Sequence, residues 1–204
     1  MTVRDAFYEE AGALFVGLVA RVPDDAWERP ALGTWNVRDL VGHTSRSFVT
    51  VLTYLDERPS SVAVESASAY YVATTTVLAA SDPRAVDERA RAAGSALGDD
   101  PLAAVRDLRG RALARLDGAE PDDLMTSIVG GIRVRDYLPT RVLELVVHSR
   151  DLARALGLEL DVPTVLLRAV ALLAAEVAVD SGEADVVLDA LLGRGTLPDG
   201  FSLV

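Results

Sequence analysis

Arg141-Val142-Leu143-Glu144-Leu145-Val146-Val147-His148-Ser149-Arg150-Asp151 reads as continuous helix, and how it is read decides the fold. Glu144 and His148 stand at i and i+4, so they lie one above the other on a single face. Arg141, three residues before Glu144, and Asp151, three after His148, extend that line into one polar stripe. Val142, Leu143, Leu145, Val146, Val147 and Leu152 fill nearly every other direction. A surface helix normally shows a broad polar face, so a stripe this narrow predicts a helix inside a bundle. Buried charge must be paired or bound to metal. A carboxylate and an imidazole one turn apart can hold one ion between them.

The chain has 204 residues, half of them hydrophobic, which suits one large domain or a domain with a small appendage. Its formal net charge is −11, from 31 acidic and 20 basic residues. No basic face of the kind that binds nucleic acid is expected. There is no cysteine, which excludes a disulfide framework, a thiolate metal site and a cysteine nucleophile, but not a thiol supplied from outside. The N-terminus lacks the apolar run of a secretory signal. The longest apolar run, Val162 to Val179, carries Arg168 and Glu176, follows Pro163 and falls short of the ~20 residues of a membrane span. It reads as a buried helix, and the protein as cytoplasmic, with no membrane partner.

The remaining segments read mainly as antiparallel helices. Thr2 to about Val22 forms the first, ended by Pro23-Asp24-Asp25, and residues 23–35 form a loop with Trp27 and Trp35. Asn36 caps a second helix, with Asp39 at its third position as a variant capping box. Val37, Val41, Phe48, Leu52 and Leu55 make its core face, with Asn36, Asp39, His43, Ser47 and Thr50 opposite. Residues 62–98 are harder to read: Tyr70 to Ala80 is helical or extended, and Pro83 to Leu97 is helical. Asp100 caps a helix over Pro101 to Leu116, with Pro101 at its first position. Leu124 to Val134, through Gly130-Gly131, suits a short extended hairpin. Asp136 is a natural cap for the helix that runs to Leu156 and ends at Gly157. Pro163 to Asp180 and Asp185 to Leu192 complete the helices. The fold class is all-α, a four-helix bundle with a short hairpin. Residues 1–157 are expected to form the bundle, and residues 158–204 a C-terminal helix and tail packed on the same domain.

His43, on the second helix, is the chain's only other histidine. Two histidines and a glutamate form an established catalytic zinc set, and facing helices of a bundle can supply it. Asp39, one turn before His43, and Asp151, close after His148, are positioned to hold the imidazole tautomers. Spacing alone leaves open a solvated ladder of i,i+3 and i,i+4 ion pairs, with Asp39 a simple cap and His43 a surface residue. Ser45 and Ser149 lack a triad context, and the glycine pairs match no phosphate-binding motif. Arg194, in a glycine-flanked loop, reads more readily as solvated than as functional.

Three stretches carry a resemblance to a known family. Gly33-Thr34-Trp35-Asn36-Val37-Arg38-Asp39-Leu40-Val41-Gly42-His43 resembles the W-x-V-x-D-L-x-x-H signature of the mycothiol-dependent maleylpyruvate isomerase-like family. That family belongs to the DinB/YfiT-like superfamily of metal-binding four-helix bundles. Arg141 to Ala153 resembles its second signature, and Gly193-Arg194-Gly195-Thr196-Leu197-Pro198-Asp199-Gly200-Phe201 its C-terminal segment. The resemblance implies that His43, Glu144 and His148 hold a divalent metal, usually zinc. It implies mycothiol, an actinobacterial thiol, as cosubstrate and a small electrophile as substrate. Addition of the thiolate to a double bond, rotation and elimination would isomerise that substrate; without elimination the product is a conjugate. The resemblance also implies Arg194 as the counterpart of a functional arginine in the full isomerase, and Ser149-Arg150 stands where members often carry Gly-Trp. The leading expectation is therefore an isomerase or S-transferase, acting as a monomer or homodimer. A non-catalytic ligand-binding or stress-associated bundle, or a metal-dependent hydrolase at the same site, remain the alternatives.

Overall fold

The computed structural model describes residues 5–79, 82 and 84–203. Four helices form a closed ring: α1 (Ala6–Val19), α2 (Val37–Tyr54), α5 (Pro101–Leu116) and α6 (Val134–Leu156). α1 packs on α5 and α6, and α2 packs on the same two. Tyr8 and Phe15 of α1 meet Phe48 of α2 across the centre, at ring separations of 6.1 and 6.3 Å. Further helices cover the ring: α3 (Ala67–Ala79) and α7 (Thr164–Asp180) lie on α6, α4 (Arg84–Ala96) on α2, and α8 (Ala184–Leu191) on α7. The fold is all-α, as the helical periodicity predicts.

The helix ends follow local chemistry. Asp5 accepts from the Phe7 and Tyr8 amides and so starts α1, excluding itself from the helix; the expected start at Thr2 lies outside the described residues. Asn36 and Asp39 form the anticipated reciprocal capping box of α2. Asp100 caps α5 with Pro101 at its first position. Gly157, at φ +64°, ends α6 in the left-handed region, with the Leu158 amide reaching back to the Ala153 carbonyl. The β3 (Leu124–Ser127) and β4 (Gly130–Arg133) strands pair antiparallel as the predicted hairpin.

Several expectations need correction. α6 begins two residues before Asp136, capped by no side chain, because the Val134 and Arg135 amides donate to the carbonyls of Asp123 and Pro121. Asp136 instead sits in the first turn, 3.4 Å from Arg133, where a carboxylate complements the helix dipole. Residues 23–35 hold more than loop: a 3-10 turn over Asp24–Ala26 and the small hairpin of β1 (Pro30–Leu32) and β2 (Trp35–Asn36). The ambiguous segment around Tyr70 is helix α3, whose Tyr70, Tyr71 and Thr74 are buried. Residues 80 and 83, part of the expected segments there, lie outside the described residues.

Burial differs from the simple two-faced picture in two places. The polar stripe of α2 is not on the solvent side: Asp39, Ser47 and Thr50 are buried, because α4, α5 and α6 all pack on this helix. Buried hydroxyls are satisfied within the helix, as when Thr44 and Ser45 donate to the carbonyls of Leu40 and Val41, both at 2.7 Å. Conversely α7 is only half-buried. Leu166, Leu173 and Val177 face inward, while Leu172 and Val179 are 60% and 64% exposed, because α7 lies at the periphery with only one face against α3 and α6. Among the described residues no helix is long and apolar enough to cross a membrane.

α2 and α4 touch backbone to backbone at Gly42 and Gly94. A Cβ on Gly42 would stand 2.2 Å from the Gly94 amide nitrogen. Gly42→Ala should therefore destabilise the protein by ~1–3 kcal/mol in denaturant melts, although alanine in an open helix would stabilise by up to ~1 kcal/mol.

Candidate metal centre

The antiparallel packing of α2 against α6 brings three side chains together. His43 comes from the second turn of α2, and Glu144 and His148 from the middle of α6. Their potential ligand atoms lie within 4.8 Å of one another, the arrangement expected of a shared cation. His148 Nε2 is 3.3 Å from Glu144 Oε2, and His43 Nε2 is 3.8 Å from the same oxygen. Around a tetrahedral ion with bonds of ~2.0–2.2 Å, ligand atoms sit about 3.4 Å apart, so small side-chain shifts would complete the set. The two imidazoles meet edge to face at 5.0 Å. The side chains of His43, Glu144 and His148 retain 22%, 19% and 16% exposure, so the cluster is recessed but not sealed.

Partners outside the triad orient it. Asp151 Oδ2 lies 3.2 Å from His148 Nδ1, and Arg154 donates to the other Asp151 oxygen at 2.8 Å. An ionised carboxylate only accepts, so Nδ1 carries a proton and Nε2 faces Glu144. Asp151 stands beside His148, where the helical spacing placed it. Asp39 does not play the matching role for His43: its carboxylate accepts from the Asn36 amide at 3.3 Å, within the cap. Arg194 is not brought to the cluster either. It is exposed on the C-terminal segment, where its guanidinium donates to the Leu192 carbonyl at 2.7 Å. Ser149 is buried and Arg150 exposed, so neither shares the face of His148.

Three contributors come from parts of the chain that spacing could not connect. The Trp35 ring lies against His43 at 4.6 Å. Trp35 Nε1 donates to Asp87 at 2.9 Å, and the Thr34 hydroxyl donates to the other oxygen of that carboxylate at 2.9 Å. The Tyr71 hydroxyl lies 3.1 Å from Glu144 Oε1 and 3.0 Å from the Thr140 carbonyl, holding the carboxylate from the α3 side. Among these only Trp35, in β2 just before α2, lies beside a recognisable stretch of the sequence. Asp87 and Tyr71 belong to the segment whose local pattern was hardest to read.

The electrostatics distinguish the two histidines. Burial lowers the pKa of His43 and outweighs its hydrogen bond with Glu144, so it is neutral at pH 7. Burial also opposes charge on His148, but its hydrogen bonds with Asp151 and Glu144 win, and its pKa is pushed up to about 9. Burial would raise Glu144, yet hydrogen bonds from His148 and His43 and the charge of Arg141 hold it well below the usual carboxylate range. The metal-free cluster thus pairs a carboxylate with one imidazolium. A cation would replace that proton, and the donor set of two imidazole nitrogens and one carboxylate oxygen suits zinc.

The family model described as the mycothiol maleylpyruvate isomerase N-terminal domain matches residues 8–153. The match spans α2 and the part of α6 that carries Glu144 and His148, and ends before α7. No curated protein and no solved structure matches the chain.

Two measurements probe this geometry. Metal binding needs neutral His148, whose folded pKa of about 9 lies above neutrality. Affinity should therefore rise with pH up to about 9, and uptake at pH 7 should release about one proton, readable by calorimetry in buffers of different ionisation enthalpy. Asp151→Asn, which removes the carboxylate that orients His148, should weaken metal affinity about 10- to 100-fold in competition with a chelating dye.

Proposed function

Because the chain belongs to the mycothiol maleylpyruvate isomerase N-terminal domain family, we propose that it is a metal-dependent enzyme that uses mycothiol or a similar small thiol to isomerise or conjugate a small electrophile. The observation that carries this reading is the convergence of His43, Glu144 and His148 at a recessed but solvent-reached point of the bundle. A structural ion pair would need only two of these groups. The second imidazole, uncharged and aimed at the same carboxylate, is what a cation requires.

A bound divalent ion, zinc by donor chemistry, would supply the positive charge that lowers a thiol's pKa and fixes its direction of attack. The chain's own groups prepare that site. Asp151 keeps the His148 proton on Nδ1, leaving Nε2 free as a ligand. Tyr71 holds one oxygen of Glu144 and leaves the other toward the imidazoles. Trp35, anchored by Asp87, restrains the His43 ring. The nucleophile must arrive with the thiol, since the chain has no cysteine. In the isomerase reaction the thiolate adds to an activated double bond, the resulting single bond rotates, and expulsion of the same thiolate restores the double bond without net consumption. Retention of the thiol gives the conjugate instead. The reading places the enzyme in the cytoplasm, where small thiols are kept reduced.

Protein purified without a metal-affinity tag should contain about one zinc per chain by elemental analysis, three protein ligands being the pattern of a catalytic site. His148→Ala should bring the metal content to background. Turnover of mycothiol with a panel of activated alkenes should disappear on chelation and return on adding zinc. Full metal content in His148→Ala, or no thiol consumption or alkene isomerisation across the panel, would overturn the proposal.

A further inference from the structure

The exposed apolar surface of this protein is unevenly placed. Among the described residues, eight of the eleven exposed large hydrophobic side chains lie on α7, α8 and the tail. On α7, Val165, Leu172 and Val179 are 46%, 60% and 64% exposed. They recur every seven positions, so they form one stripe along the outer side of the helix. Ala171 and Ala175, both exposed, flank Leu172 and leave room for the close approach of another helix. α7 carries only three charged residues, Arg168, Glu176 and Asp180, where a helix facing water normally shows a broad polar face. A contiguous exposed apolar surface of this kind marks an interaction site.

The stripe and its charges are arranged symmetrically about Leu172. Arg168 lies four positions before Leu172 and Glu176 four after it, each about 6 Å along the axis. Val165 and Val179 lie seven positions to either side, each about 10 Å away. In a second copy laid antiparallel on this face, the partner's Leu172 meets Leu172. The partner's Val179 then comes level with Val165, and the partner's Glu176 with Arg168. Neither Arg168 nor Glu176 forms an ion pair among the described residues, whereas on α4 and α5 arginines pair within their own helix, Arg91 with Asp87 and Arg111 with Asp107. An open groove lined by Ser68 of α3 and by Leu172, Ala175, Glu176, Val179 and Asp180 runs beside the stripe. Its acidic rim lies at the level where the partner's Val165 and the partner's Arg168 would arrive, so the recess suits one side chain and the rim the charge of the other.

We propose that α7 is the contact face of a two-fold symmetric homodimer, with Leu172 at the axis and Arg168 paired to the partner's Glu176. A two-fold interface requires one patch that is complementary to itself, and this stripe meets that requirement in its apolar spacing and in its charge. α7 is about 25 Å long, so its outer face alone falls short of the ~800 Å² per partner of a standard interface. The dimer is therefore a weak one, formed on the order of micromolar chain concentration. The proposal goes beyond the enzymatic reading and does not rest on it, since α7 follows the residues 8–153 that the family model matches and carries none of the metal-site residues.

Sedimentation velocity of the full chain from about 1 to about 300 µM tests this, a range that spans weak association through a small interface. The sedimentation coefficient should rise with concentration toward that of two chains. Leu172→Glu, which sets two like charges at the axis, should hold the protein as a single chain throughout, with its circular dichroism unchanged because Leu172 is largely exposed. Arg168→Glu and Glu176→Arg, each of which brings like charges level, should weaken association about tenfold or more, and the double substitution should restore it. The same results are expected with and without metal. A single-chain coefficient at every concentration would overturn the proposal and leave the face to a different partner. Association that survives Leu172→Glu in folded protein would overturn it by placing the interface elsewhere. Loss in both single charge variants without recovery in the double variant would overturn the two-fold pairing.

Discussion

Glu144 places a full negative charge between α2, α3 and α6, where an uncompensated ion would cost several kcal/mol. Each neighbouring element answers that charge. α2 brings His43 within 3.8 Å, α3 brings the Tyr71 hydroxyl within 3.1 Å, and α6 itself brings His148 within 3.3 Å. Arg141, one turn away, adds a further positive charge that favours the ionised form. The helices that surround the carboxylate are thus also those whose relative placement it rewards. Removing one partner leaves a buried charge exposed to its own desolvation cost, so the site and the bundle depend on each other.

That placement in turn needs close helix packing. Gly42 precedes His43 directly and lets α4 approach the backbone of α2. α4 carries Asp87, which grips Trp35, whose ring restrains His43. The contact of two small residues at one helix crossing is therefore linked to the His43 ring through Asp87 and Trp35. The opposite face of the ligand cluster lacks such complete pairing. There Arg141, buried under the rings of Tyr137 and Tyr70, meets Glu144 only through its charge, one turn away.

Local patterning was a good guide to the helices and a poor guide to their neighbours. The capping box at Asn36 and Asp39, the Asp100-Pro101 start of α5 and the Gly157 stop of α6 are legible because each depends on residues within a few positions of one another. The start of α6 was misplaced because its first amides bond to carbonyls in the preceding loop, which no motif records. The polar stripe of α2 is legible as a shared face, but a stripe says nothing of what covers it, and here α4, α5 and α6 do. α7 was assigned to the interior for the same reason in reverse: its apolar content is high, but Leu172 and Val179 stay on an open face.

The amino-acid sequence by itself determined the all-α class, the Glu144–His148 pair and its link to Asp151, because helical geometry converts spacing of three and four into contact. It also offered His43 by elimination, as the only remaining histidine. Tertiary structure alone decided that His43 faces Glu144, that the Asp39 carboxylate stays in its cap without turning to His43, and that Arg194 lies away from the cluster. It alone revealed Tyr71, Trp35 and Asp87 around the His43, Glu144 and His148 cluster. These relations span from tens of residues to about a hundred, and they exist only once antiparallel helices have found their register. The physical reason is that a periodic pattern sets the direction of a side chain around its own helix axis, whereas a site is the intersection of several such directions in space.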